Sequence, residues 1–76
     1  MIVEVNGSRF DVQHGGSGYA HTKYRVTLLE GTWPSDRDLL TLCDNHDGTM
    51  FKRHFGGVVS PIDNKPNERY VKVYID

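Results

Sequence analysis

The densest group of chemically reactive side chains lies in the segment LLTLCDNHDGTMFKRHF. Its cysteine, Cys43, precedes His46 by three residues, a spacing that brings two side chains to one face of a helix. Such a pair could supply two zinc ligands, or a thiolate and its base. A structural zinc site usually needs four ligands, and a catalytic thiol needs exposure and a stabilised oxyanion. We therefore predict no metal site, no cofactor and no catalysis, and expect Cys43 to pack in the core.

Acidic side chains are concentrated around the same apolar run. Four aspartates lie in this region, with Arg37 as the basic residue between them: Asp36, Asp38, Asp44 and Asp47. The first two occupy positions where a helix dipole favours negative charge, and the last two lie in a turn-like sequence, DNHDG. The alternative is an acidic patch that docks on a basic surface of another protein, such as the channel of a nucleic-acid-binding complex.

A second group mixes tyrosines with basic residues on two strand-like segments. In TKYRVTLL and ERYVKVYID, apolar residues alternate with polar or aromatic ones, as in strands with one buried face. The outward-facing set is predicted to be Lys23, Arg25, Tyr70, Lys72 and Tyr74. These side chains could stack bases and hold phosphates, or they could anchor a protein partner. The simpler interpretation is a solvated sheet face with cross-strand pairs.

The remaining elements must position these two groups. MIVEV and RFDVQ flank Asn6-Gly7, a pair suited to a tight hairpin turn. The glycine-rich HGGSGYAH predicts a flexible loop with Tyr19 at its tip. MFKRHFGGVV predicts a fourth strand whose phenylalanines face the core, and SPIDNKPN, with its two prolines, predicts a loop before the last strand.

The segment between the third and fourth strands can be interpreted in two ways. Its apolar residues in DLLTLCD do not alternate but share one face of a helix, and Ser35 can cap that helix. This predicts a short helix over about residues 35–45. The alternative is a hairpin in which DLLTLCD and TMFKRHF pair around NHDG.

Together these elements predict one α+β domain over residues 1–76 with the order β-β-β-α-β-β. The sheet has four to five mostly antiparallel strands, and the helix covers one face, leaving the other to solvent or a partner. An all-β small barrel is the alternative fold. An exposed edge strand could also pair with a second copy, which would give a homodimer.

Composition limits the environment more than the function. The formal charge of −1 gives no general attraction to nucleic acid. One cysteine cannot form an intramolecular disulfide, and there is neither a signal-like start nor an apolar run long enough for a membrane span. These features predict a soluble cytoplasmic protein.

The combined pattern favours a small non-enzymatic protein-binding module that acts by contact with a larger partner. In size and composition the chain resembles, in general character, the inhibitors made by bacteriophages and other mobile elements, such as anti-CRISPR proteins. That resemblance implies an accessory or inhibitor protein. The alternative hypothesis is a single-stranded nucleic-acid-binding protein that uses the open sheet face.

Overall fold

The computed structural model describes residues 1–18, 21–46 and 54–75. Its elements are β1 (Ile2–Val5), β2 (Ser8–Gly18), β3 (His21–Glu30), α1 (Asp36–His46), β4 (His54–Ile62) and β5 (Lys65–Ile75). All strand pairs are antiparallel, and the sheet order is β1-β2-β3-β5-β4. This confirms the α+β prediction and its element order. The sheet has β1 and β4 as its two edges and is not closed, so the barrel alternative is wrong.

The first hairpin confirms the turn predicted at Asn6-Gly7. These residues have positive φ values of 49° and 82°, which a type I′ turn requires and which asparagine and glycine tolerate. Beyond the turn, the Ser8 Oγ accepts a hydrogen bond from the Thr32 amide at 3.1 Å and donates one to the Thr32 carbonyl at 2.9 Å. The turn end of the hairpin is thereby fixed to the segment that leads into α1.

The loop predicted in the glycine-rich segment is wrong for most of its length. β2 continues to Gly18, and β3 begins at His21. A bulge between His14 and Gly16, where φ of Gly16 is 123°, lets the strand continue through the glycines. Tyr19, the predicted loop tip, lies outside the described residues.

The helix α1 confirms the prediction over residues 35–45 and excludes the hairpin alternative for this segment. Ser35 caps it as expected: its Oγ accepts a hydrogen bond from the Asp38 amide at 3.2 Å, and its carbonyl accepts one from Leu39 at 3.0 Å. Leu39 and Cys43 lie fully buried on the apolar face. Within the described ranges, no helix is both long and apolar enough to cross a membrane.

The last two strands form a tight hairpin, so the loop predicted from the prolines of SPIDNKPN is wrong. β4 continues through Pro61, which an edge strand tolerates because one side of its backbone pairs with no other described strand. The connection is only Asp63 and Asn64, the latter with φ of 62°, and Pro66 falls where the pairing shifts register. The first part of the predicted fourth strand, residues 50–53, lies outside the described residues.

The core lies between α1 and one face of the sheet. Its buried members are Phe10, Val12, Tyr24, Val26, Leu39, Cys43, Val71 and Val73. The helix packs on β4 and β5 rather than across all five strands. A Cβ at Gly57 would overlap the Lys72 carbonyl and a methyl group of Leu40, so the close approach of helix and sheet requires glycine there.

Candidate functional site

The open face of the sheet is built by the pairing of β3 with β5. Side chains alternate across each strand, and alternate residues such as Tyr24 and Val71 are buried in the core. Their neighbours therefore point to the opposite face. The strand register places three pairs of residues opposite each other on that face: Lys23 and Lys72, Arg25 and Tyr70, and His21 and Tyr74. The five residues predicted for the open face thus lie together, on the side away from the helix.

Four of these residues form what we call the tyrosine–lysine patch: Lys23, Tyr70, Lys72 and Tyr74. They line a shallow depression of about 480 Å³ together with His21, Val58 and Ser60. Tyr74 remains 39% exposed and Val58 47% exposed. The patch therefore presents an aromatic ring and an aliphatic side chain to solvent beside two positive charges. Of these groups, the tyrosine is the type enriched at protein interfaces.

Each lysine of the patch lies near a tyrosine ring. The Lys23 Nζ is 4.3 Å from the centroid of the Tyr70 ring, and the Lys72 Nζ is 5.6 Å from that of Tyr74. The negative face of an aromatic ring attracts a cation, so these contacts hold the amines over the sheet. One face of the Tyr70 ring is consequently occupied by an amine.

The two lysines lie directly opposite each other across the strand pair. Like charges in this position lower the stability of a sheet. In the described part of the chain, no carboxylate forms an ion pair with Lys23 or Lys72. Their repulsion is therefore offset only in part, by the tyrosine rings, and the patch remains a place where an added negative charge would be stabilised.

Arg25 shares the face but is already engaged by an acid. The Arg25 Nη2 and Nε lie 2.6 Å and 2.8 Å from the Oε1 of Glu68. The Lys65 Nζ lies 3.5 Å from the Oε2 of the same carboxylate. Partial burial alone would raise the pKa of Glu68, but the hydrogen bond and charge of Arg25, aided by Lys65, lower it below its usual value. Arg25 thus contributes less free positive charge than the sequence suggested.

Of the four aspartates predicted to form an acidic patch, the structure describes the side chains of two. Asp36 and Asp38 lie exposed in the first turn of α1, as their helix-dipole interpretation predicts. The backbone of Asp44 lies about 9 Å further along the helix axis than that of Asp38, because an α-helix rises about 1.5 Å per residue. The side chain of Asp44 and the whole of Asp47 are outside the described residues. Whether the four act together stays a prediction.

Cys43 occupies the core position expected for it. It is fully buried, and burial raises the pKa of its thiol to about 12. At neutral pH the thiol is therefore protonated and weakly nucleophilic. The side chain of His46, its suggested partner, is outside the described residues, and among the side chains that are described no three metal-binding groups cluster.

Three further residues contribute to this face and were not predicted from the sequence. Glu68 and His21 lie two residues from Tyr70 and Lys23, so strand alternation could have placed both on the open side. Val58 could not be placed in this way, because the bulge between His54 and Gly57 changes the parity of β4.

No protein-family model, curated protein or solved structure matches this chain.

Proposed function

We propose that the chain is a small non-enzymatic protein-binding module that docks its tyrosine–lysine patch on an acidic surface of a larger protein. The supporting observation is the opposition of Lys23 and Lys72 without a carboxylate between them among the described side chains. Carboxylates of a partner would offset that repulsion, and exposed Tyr74 and Val58 would supply apolar contact area.

Single-stranded nucleic-acid binding through the same patch is the second candidate, because lysines beside tyrosines can hold phosphates and stack bases. Several features favour a protein. Lys23 covers one face of Tyr70, which leaves less ring for stacking. Arg25 is bound by Glu68, whose charge would repel phosphates. The net charge of −1 gives no long-range attraction to a polyanion.

We infer further that this contact is accessory or inhibitory and takes place in the cytoplasm. The patch is a shallow surface rather than an enclosed cavity, and the buried thiol of Cys43 is protonated at neutral pH, which supports action without catalysis or cofactor. The likeness to phage and mobile-element inhibitors rests on size and composition. The cytoplasmic assignment rests on a single cysteine that has no disulfide partner within the chain.

Affinity capture from a nuclease-treated lysate of the source cells, followed by titration of the purified partner, tests the proposal. We expect one stoichiometric protein whose dissociation constant rises at least about tenfold with Lys23→Ala/Lys72→Ala. Arg9→Ala/Arg37→Ala is the matched control, because it removes the same charge away from the patch. This control should leave the dissociation constant unchanged.

Three results would overturn the proposal. Salt-sensitive binding of oligo-dT that is lost with Tyr70→Ala would favour the nucleic-acid alternative. A partner that binds Lys23→Ala/Lys72→Ala as tightly as it binds the wild type and the control would show that the patch is not part of the interface. Loss of the partner only in Asp36→Lys/Asp38→Lys would move the contact to the acidic end of α1.

A further inference from the structure

Among the strands that the structure describes, β1 is an edge strand, paired on one side only. Met1 and Val12 exchange both ladder hydrogen bonds, at 2.8 Å and 3.0 Å. Hydrogen-bonded and non-bonded pairs alternate along an antiparallel ladder, so Val3 also bonds to β2 whereas its neighbours do not. Ile2 and Glu4 therefore direct their N–H and C=O groups away from the sheet, at its free edge.

Beside this edge, a groove of about 540 Å³ separates the β1–β2 hairpin from α1. α1 packs mainly on β4 and β5, at the other end of the sheet from β1. The apolar lining of the groove includes Val3, Val5, Phe10, Pro34 and Leu42. Among the described side chains of the lining, Asp38 is the charged one, and no basic residue described in the structure pairs with it.

We propose that this edge and groove together bind an extended peptide segment of a partner protein that carries a basic and an aliphatic residue two positions apart. The peptide backbone pairs with Ile2 and Glu4 as an added strand. Alternate side chains then point to the helix side of the sheet. There the aliphatic side chain contacts Val3 and Leu42, and the basic one reaches Asp38 across the groove.

The opposite edge of the sheet is less suited to such pairing. β4 shifts register between His54 and Gly57 and again after Pro61, and Gly56 has φ of 110°. Bulges and proline interrupt the regular row of backbone groups that an added strand requires. β1 pairs with β2 without a register shift along its whole length. The regular edge is thus the one that borders the groove.

The test uses the isotope-labelled full chain and the peptide acetyl-Ser-Arg-Thr-Ile-Thr-Ser-amide, followed by amide chemical shifts. The arginine and isoleucine are two apart, so both can face the groove. We expect shifts at β1 and at Leu42, with slowed amide hydrogen exchange at Ile2 and Glu4. Asp38→Asn should weaken binding about two- to fivefold, the range for an exposed ion pair. Asp36→Asn, in the same helical turn but outside the lining, should not.

The control peptide acetyl-Ser-Thr-Arg-Ile-Thr-Ser-amide has the same composition but places arginine and isoleucine on opposite faces of a strand. Equal binding of both peptides, or shifts confined to the tyrosine–lysine patch, would overturn the proposal. Slow exchange at Ile2 and Glu4 without peptide, together with concentration-dependent sedimentation, would assign the edge to a second copy of this chain instead.

Discussion

The two faces of the β3–β5 pair use tyrosine in opposite ways. Tyr24, on the face covered by α1, is 2% exposed and belongs to the core. Tyr74, on the other face, is 39% exposed and lies beside a lysine amine. The two residues have the same chemistry and lie on neighbouring strands. Strand parity and the position of the helix therefore decide which tyrosine supports the fold and which can meet a partner.

The faces also differ in what they contribute to stability. The covered face brings together apolar side chains that gain free energy by burial. The open face sets Lys23 opposite Lys72, an arrangement that opposes folding. Binding surfaces are the places where a protein is expected to keep such an unfavourable local arrangement.

The largest difference should appear when one tyrosine of each face is truncated. Tyr24→Ala should lower the free energy of unfolding by about 3–5 kcal/mol, as truncation of buried aromatic residues does. Tyr74→Ala should lower it by less than about 1 kcal/mol, because an exposed cross-strand contact contributes little. Urea unfolding measures both values, and failure of Tyr24→Ala to fold counts as the larger loss. Equal losses would contradict the assignment of the two faces.

Truncation of the open face should affect partner binding more than stability. We expect Tyr70→Ala/Tyr74→Ala to weaken binding of the captured partner by at least about 2 kcal/mol, since aromatic residues often dominate interfaces. Isothermal titration calorimetry measures the change, and circular dichroism checks that the fold is kept. An affinity within twofold of the wild type would exclude the tyrosines as anchors.

The helix side of the same core can be examined through the titration of Cys43. Burial raises the pKa of its thiol from 9.0 to about 12. Between these values an unfolded chain loses the thiol proton while the folded chain keeps it, so stability falls by about 1.4 kcal/mol per pH unit as pH rises. Cys43→Ala lacks this contribution, so the wild type should lose stability relative to it across this range. A pH-independent difference in unfolding free energy would contradict burial of the thiol.

Much of the fold could be predicted because local signals agreed with the tertiary structure. Asn6-Gly7 dictates its turn by backbone conformation, and Ser35 marks the start of α1. The alternation in β3 and β5 placed every residue of the tyrosine–lysine patch on the correct face. These signals depend on residues close in sequence.

The failures arose where pairing between strands overrode local preference. The glycines near the end of β2 predict a loop, yet they lie in the strand at a bulge. The prolines predict another loop, yet Pro61 lies on the edge strand β4 and Pro66 lies in β5, where the pairing shifts register. In the site, the pairing of Arg25 with Glu68 was missed because the two are 43 residues apart. No local pattern reveals that an arginine is already neutralised by a distant acid.

The substitution Lys72→Glu separates the effect of the tyrosine–lysine patch on folding from its effect on binding. It places a carboxylate opposite Lys23, so the free energy of unfolding should rise by about 0.2–1 kcal/mol. The same protein should bind its partner at least about tenfold more weakly, since the patch loses a positive charge and gains a negative one. Arg37→Glu, on the exposed side of the first helical turn, is the matched control for charge.

Urea unfolding and partner titration should be carried out on the wild type and both variants. We expect Lys72→Glu to be more stable and to bind the partner more weakly than the wild type, whereas Arg37→Glu should bind like the wild type. A Lys72→Glu protein that retains wild-type affinity would contradict the proposal that the tyrosine–lysine patch is the docking surface.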